Sequence, residues 1–461
     1  MSDKRQKNQL QMGLAFTGEG RSEAPQTPQE GTESFTAKGR TESPARAEPL
    51  MEAVCGRENC QQALRRVKAN KGSPGIDGRR VEELTGHRKQ HWPAIREQLL
   101  SGTYEPQPVK RVEIPKPDGG VRKLGIPTVL DRFVQQAVMQ VLQGQWDRTF
   151  SEPSHGFRPQ RSAHQAVAKA QKSIASGRRW VVDLDREKFF DRVNHDRWMA
   201  AVARRIADQR MLKLLRAFLP AGVMENGLVS PEDEGTPQGG PLSPLLSNLV
   251  LDELDRELER RQHRFVRYAE DGNIYVASER AGKRVMQSVP RFLRSRRKLQ
   301  VNEAKSAVAR PQPRKFLGCS FTGAAEPQRR LAPKALLRWR QKIGELTRRT
   351  RGISVQQMTK NLATYLRGWK SSFGFCETPS VRERLDQWIR RRLRSMIWKQ
   401  WKRGSRRFQH LRQRGVGKDL AAQTAGRPHG PWRLANRPAL TTALPTAYFD
   451  SLGLPRWFAV R

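Results

Sequence analysis

Trp180–Asp191 reads WVVDLDREKFFD. The apolar pair Val181-Val182 leads into Asp183, Leu184 and Asp185, which predicts a short strand bearing two carboxylates. Positions i and i+2 of a strand share a face, so the two acids sit together if the strand runs through them. They could equally cap the turn or helix that follows. A second acidic pair lies further on. Phe265-Val266-Arg267-Tyr268 and Asn273-Ile274-Tyr275-Val276 predict a hairpin with Glu270 and Asp271 in its turn. Two strands that each deliver acids can gather divalent cations. Mg²⁺ takes oxygen ligands and is commonly held by one or two carboxylates plus substrate phosphates.

Between the two acidic pairs stands Gly235–Asn248, GTPQGGPLSPLLSN. Its Gly and Pro residues shape a tight backbone, and Leu245, Leu246, Leu249 and Val250 continue it as a helix. Upstream, Val112-Glu113-Ile114 and Val121–Leu124 flank Asp118-Gly119-Gly120 and predict a hairpin. Downstream, the pattern turns helical. Leu336, Trp339, Ile343 and Leu346 form one apolar stripe, and Met358, Leu362, Tyr365 and Trp369 a second. The third comprises Val381, Leu385, Trp388, Ile389, Leu393, Met396 and Ile397. Ser380 and Glu383 predict a capping box at its start. The other face carries Arg382, Arg384, Arg390, Arg391, Arg392 and Arg394, and this one-sided charge points to nucleic acid. Arg406, Arg407, Arg412, Arg414 and Lys418 predict a mobile basic segment. Trp369, Trp388, Trp398, Trp401 and Trp432 are either core residues or stacking platforms for unpaired bases.

The whole chain agrees with this direction. Its 461 residues carry 87 Lys and Arg against 45 Asp and Glu, a formal net charge of +42. Charge of that size opposes compaction unless a polyanion neutralises it. No apolar run reaches the roughly 20 residues of a spanning helix, and MSDKRQKNQLQMG lacks the apolar core of a signal peptide. A soluble cytoplasmic protein is expected. Four cysteines, with no CxxC pair, suit reduced thiols better than a disulfide framework or a zinc site. Residues 1–50 are polar and predict a disordered tail.

From about residue 60 onward the chain resembles the bacterial group II intron-encoded proteins, in which a reverse transcriptase is joined to a maturase. Lys123–Arg132 (KLGIPTVLDR) and His155–Ser162 (HGFRPQRS) are similar to the first two polymerase motifs. Val182–His195 is similar to motif A, Gly235–Asn248 to motif B and Arg267–Asp271 (RYAED) to motif C. Leu299–Lys305 is similar to motif D, and Lys315–Phe321 (KFLGCSF) to the motif beside the thumb. Gly368–Pro379 and Ala421–Leu434 are similar to the maturase region.

The resemblance implies an α/β right-hand polymerase of fingers and palm, then an α-helical thumb and an α-helical basic maturase domain. The implied divisions are 1–50 for the tail, 51–110 for an N-terminal fingers extension and 111–325 for fingers and palm. The thumb then takes 326–379 and the maturase domain 380–461. The implied activity is RNA-directed DNA synthesis from dNTPs with two Mg²⁺ ions held by Asp185, Glu270 and Asp271. The implied partners are group II intron RNA, whose splicing the protein assists, and target DNA. Phe190 matches the aromatic that blocks a ribose 2′-hydroxyl, while Asp183 and Asp191 fall to structural roles. Arg122, Lys123 and Arg158 are candidates for the incoming triphosphate or are solvated cations. Gln238 and Gly239 match the part of motif B near the nascent base pair, and Lys305 matches a motif D lysine or is a surface residue. Arg390, Arg391, Arg394, Arg406, Arg407 and Arg412 are candidates for RNA or DNA contact.

Two departures bear on activity. The family's motif C is Tyr-Ala-Asp-Asp, and this chain has Tyr268-Ala269-Glu270-Asp271. Glu keeps the charge but carries its carboxylate roughly 1 Å further, and a displacement of that size can cost on the order of a hundredfold in rate. Impaired synthesis in Mg²⁺ is expected, with partial rescue by the more tolerant Mn²⁺. Arg186 brings a cation beside Asp185 where relatives commonly have an apolar residue. A polymerase-inactive RNA-binding splicing chaperone is the alternative reading. No CxxC pair or His/Asn cluster follows the maturase-like region, so second-strand DNA cleavage is not expected.

Overall fold

The Thr128-to-Asp131 step shows how local chemistry starts a helix here. Thr128 accepts the Asp131 amide at 3.1 Å and donates its hydroxyl to the Asp131 carboxylate at 2.6 Å. Tyr104 donates to the same carboxylate at 2.9 Å. This cap satisfies one orphan amide at the head of the helix Val129–Trp146, whose Phe133, Val138 and Leu142 are buried.

The structure is a computed structural model that describes residues 49–115, 120–184, 194–219, 221, 223–225, 228–230, 239–297, 302, 305–348, 350 and 352–456. The described chain begins as a helix, Leu50–Cys55, with Leu50 and Met51 already buried. The chain divides into two compact units. One comprises Met1–Phe150 and Lys188–Asp252, the other Ser151–Glu187 and Glu253–Arg461.

The first unit is built on a four-stranded sheet. β1 (Val109–Pro115) pairs antiparallel with β2 (Val121–Ile126), Val112 opposite Leu124 and Pro115 opposite Val121. This is the expected hairpin. β4 (Val223–Glu225) adds to β1 in parallel, and β5 (Leu228–Ser230) adds to β4, giving the order β2-β1-β4-β5. Helices Arg57–Asn70, Leu84–Ser101, Val129–Trp146, His195–Ala203 and Gln209–Phe218 belong to the same unit.

The second unit holds another sheet, ordered β6-β7-β3-β8. Its strands are β3 (Trp180–Leu184), β6 (Arg264–Tyr268), β7 (Asp271–Val276) and β8 (Ala307–Ala309). A short ribbon of β9 (Cys319–Phe321) and β10 (Arg329–Leu331) follows. Helices Pro333–Leu346, Val355–Phe373 and Pro379–Gln400 carry the three apolar stripes. One continuous core joins Val181, Val266 and Tyr275 of the sheet to Trp339, Leu362, Leu393 and Phe449 of the helical region. Gly318 helps to close it, at φ 77°. A Cβ there would come within 2.8 Å of the Phe373 ring.

Two local expectations are corrected. The Pro379–Gln400 helix has no Ser380 box: Thr378 is its N-cap, Pro379 takes the first turn, and no side chain caps it. Pro suits that position because its missing N–H would be unsatisfied there anyway. The basic stretch from Gly404 is helical, Gly404–Gln413 then Lys418–Gly426, with Leu411 and Val416 buried. Those apolar anchors order it, so it is not a mobile arm. Among the described residues no helix is long and apolar enough to cross a membrane.

Candidate active site and nucleic-acid surface

β3 and β7 are adjacent antiparallel strands, so the end of one meets the beginning of the other. Leu184, the last residue of β3, lies opposite Gly272, and Asp183 lies opposite Asn273. β6 and β7 close a two-residue turn in which Tyr268 pairs with Asp271. The turn residues are Ala269 and Glu270. Ala269 sits at φ 53°, the sign that a type II′ hairpin turn requires at its first central position. Glu270 is half-buried and Asp271 is exposed. Both carboxylates thus stand at the sheet edge where β3 ends. Asp185 is the next residue in the chain after β3, and it falls outside the described residues, as do Arg186, Phe190, Asp191 and Gln238.

Carboxylate oxygens are hard donors, and the Glu270–Asp271 pair fits a hard divalent cation in donor type. Among the described residues no three His, Cys, Asp or Glu side chains cluster as a complete metal site. The Asp183 carboxylate lies 3.7 Å from the Arg314 Nε.

The loop before the Ala163–Ala175 helix supports the turn from behind. Ser154 bridges to Arg267, and the His155 amide donates to the Arg267 carbonyl at 2.8 Å. Burial, reinforced by Arg161, Arg158 and Arg267, pushes the His155 imidazole down to about 4. Arg158 is 8% exposed and donates from Nη1 to the carbonyls of Ser151 at 2.7 Å and Ser154 at 3.0 Å. These bonds tie the loop together.

The other candidate cations distribute differently. Arg122 and Lys123 are both exposed on β2, opposite Ile114 and Glu113. Neighbours on a strand point to opposite faces, so the two side chains leave β2 on opposite sides. Lys305 is exposed in a turn whose amide bonds to Asn302. In the first unit, Gly239 has φ 136°, and a Cβ would stand 2.7 Å from the Gly125 carbonyl oxygen. A Cβ on Gly240 would stand 2.4 Å from the Gln135 side-chain oxygen. Gly239 therefore allows a close backbone approach that a larger residue would disturb, while at Gly240 the neighbour is the end of a side chain.

The arginine face of Pro379–Gln400 is the largest correction. Arg390 and Arg394 are buried, at 4% and 9% exposure. Arg390 pairs with Asp386 and lies 3.6 Å from Asp450. Arg394 donates to the Leu444 carbonyl at 2.9 Å, and Arg392 to Gly344 at 3.2 Å. Those carbonyls end neighbouring helices, where backbone acceptors lack intrahelical partners and favour cations. The charges are spent inside the fold. Arg391 donates to the Trp432 carbonyl and stacks over its ring at 4.1 Å, and Trp432 is exposed. Arg406 and Arg412 are exposed, while Arg407 lies over the Trp398 ring at 4.8 Å. Trp398 and Trp401 are buried, and Trp369 and Trp388 each lie partly buried in the core around Trp339. Of the five named tryptophans, only Trp432 is exposed.

Sequence reasoning passed over Arg267 and Asp255, both fully buried. A signal was present: an arginine inside the apolar run FVRY demands a partner, because buried charge is rarely left unpaired.

Residues 114–321 match the family model for reverse transcriptase (RNA-dependent DNA polymerase), and residues 336–415 match the group II intron maturase-specific domain. Over those two stretches the chain is similar to reverse transcriptases and to group II intron maturases. It is 39% identical over 222 residues to Protein YkfC of Escherichia coli (strain K12), covering 47% of this chain and 58% of that protein. It is 38% identical over 206 residues to the group II intron-encoded protein LtrA of Lactococcus lactis subsp. cremoris, covering 44% of this chain and 34% of LtrA. A third relative is the putative COX1/OXI3 intron 1 protein of Saccharomyces cerevisiae (strain ATCC 204508 / S288c), 31% identical over 43% of this chain and 24% of that protein. The chain thus spans from a quarter to little more than half of these relatives.

Proposed function

We propose that this protein is an RNA-directed DNA polymerase and maturase of the group II intron kind. It binds a group II intron RNA, assists its splicing and copies it from a primed DNA target. The observation that carries the polymerase reading is the turn bearing Glu270 and Asp271, set at the sheet edge one residue before Asp185 in the chain.

In this reading Asp185, Glu270 and Asp271 would hold two Mg²⁺ ions, whose chemistry would be Lewis-acid activation of a primer 3′-hydroxyl and charge stabilisation of departing pyrophosphate. Phe190 excludes a ribose 2′-hydroxyl, and Gln238 with Gly239 borders the nascent pair. Either Arg122 or Lys123 contacts the incoming phosphates, with Lys305 as a further cation. Arg406, Arg412 and the Arg391–Trp432 stack contact nucleic acid, by charge and by stacking. The segments 51–110, 111–325, 326–379 and 380–461 act as fingers extension, fingers and palm, thumb and maturase domain.

The second reading, a splicing chaperone without polymerase activity, is favoured by one observation: Glu270 in place of the family's Asp. Primer extension on an RNA template with dNTPs separates them, run in Mg²⁺ and in Mn²⁺. Asp185→Ala is the blank. The expected result is extension by the natural chain above that blank, weaker in Mg²⁺ than extension by Glu270→Asp. Extension at the level of the blank by both chains would leave the chaperone.

A further inference from the structure

Arg267 occupies the fourth position of β6, and its side chain is 1% exposed. Its Nε lies 2.9 Å from both carboxylate oxygens of Asp255, and its Nη2 lies 2.6 Å from Asp255 Oδ2. Asp255 is itself completely buried. Nη2 also donates to the Ser154 hydroxyl at 2.7 Å. Nη1 reaches forward and donates to the Ala269 carbonyl at 3.0 Å. The backbone of Arg267 is held as well, its amide on Pro153 and its carbonyl on His155.

We infer that Arg267 is a positioning residue for the two acids of the turn. It grips the carbonyl of Ala269, the residue immediately before Glu270, and ties it through Asp255 to the helix Ser243–Arg260 and through Ser154 to the loop before the Ala163–Ala175 helix. The inference deepens the polymerase reading given above and rests on it. Three physical arguments support it. First, Ala269 holds a left-handed conformation that a non-glycine residue keeps only where its surroundings over-determine it. The contact from Nη1 is such a constraint. Second, Asp255 neutralises the guanidinium, so the turn is held without an uncompensated positive charge beneath a cation site. Third, the planar fork is essential, because one residue must meet a carboxylate, a hydroxyl and a carbonyl at fixed angles. A lysine ammonium keeps the charge but cannot span all three. Glu270 sharpens the need: a longer side chain places its carboxylate well only if its backbone does not move.

The test uses the full chain and two variants, Arg267→Lys and the milder Ser154→Ala. Hydrogen–deuterium exchange is followed in the peptide covering Arg264–Val276, with the Pro379–Gln400 helix as internal reference. Primer extension is measured alongside. Arg267→Lys is expected to speed exchange of the turn amides at least tenfold and leave the reference helix unchanged. It should lower kcat at least thirtyfold, leave KM for dNTP within about threefold, and raise the Mg²⁺ concentration for half-maximal rate. Ser154→Ala should move each quantity in the same direction by less. Unchanged turn exchange in Arg267→Lys overturns the inference, and so does acceleration spread equally over the reference helix. If Arg267→Lys does not fold, Ser154→Ala decides: unchanged turn exchange overturns, faster turn exchange supports. Exchange needs neither metal nor substrate. A natural chain that fails to extend a primer therefore sinks the polymerase reading while the exchange result still decides whether Arg267 holds the turn.

Discussion

Gly156 lies directly against the backbone of Ala269. A Cβ at Gly156 would stand 2.1 Å from the Ala269 nitrogen and 2.9 Å from its Cα. No real Cβ tolerates that distance from backbone, so Gly156→Ala must displace either the loop or the acid-bearing turn. A shift of about 1 Å at a reacting centre can cost on the order of a hundredfold in rate. Gly156→Ala is expected to lower primer extension by about ten- to a hundredfold and to leave the far-UV circular dichroism spectrum intact. Steady-state extension of the variant beside the natural chain checks it, and full activity would show that the loop yields without moving the turn.

Buried and exposed arginines should separate in one experiment. Arg390→Ala strips a buried partner from Asp386 and Asp450, which are themselves 21% and 24% exposed, so the cost falls below the roughly 3–5 kcal/mol of a fully buried pair. A clear drop in the urea midpoint is expected. Arg406→Ala removes an exposed charge. It should leave the midpoint alone and reduce the slope of log K against log salt by about 0.7–0.9 if Arg406 contacts a phosphate. Urea titration, and RNA binding at several salt concentrations, give both numbers.

His155 predicts a pH dependence with a definite sign. Its folded value of about 4 lies below the ordinary 6.5, because burial and three arginines oppose a second positive charge. The unfolded chain therefore binds more protons between those values, and stability rises with pH across that window. The contribution is complete above about pH 6.5 and is lost progressively as pH falls toward 4, up to roughly 3 kcal/mol. Urea midpoints at pH 5 and 7.5 should differ by more in the natural chain than in His155→Phe.

The four thiols should be inert in the folded protein. Cys55, Cys60, Cys319 and Cys376 are all buried, and burial pushes Cys55 and Cys60 up to about 11. The thiolate is the reactive form, so modification by an aromatic disulfide reagent at pH 8 is expected only after denaturant is added. Titration with and without denaturant reads this directly, and a fast native phase at Cys55 or Cys60 would contradict it.

The strands and helices that define the architecture were legible in sequence. The β1–β2 and β6–β7 hairpins follow from apolar runs around turn residues, and the three C-terminal helices from their stripes at helical spacing. The position of Glu270 and Asp271 in a turn was equally plain, because turn chemistry is local. Helix starts were less so. Ser380 with Glu383 matches the capping pattern, but Pro379 one residue earlier had already opened the helix.

What the sequence determined by itself is the resemblance to a family, the alternation of sheet and helix, and the placing of two acids in a turn. These rest on patterns within a few residues of one another. Only the tertiary structure decided which cations are available. Arg158, Arg390 and Arg394 look the same in sequence as Arg406, yet the first three are buried on carbonyls and carboxylates and the last is exposed. The structure alone also disclosed that Arg267, Asp255 and Ser154 meet behind the turn. An arginine carries the same charge wherever it stands. Whether that charge serves a partner or the fold depends on which acceptors distant segments bring within hydrogen-bonding distance of it.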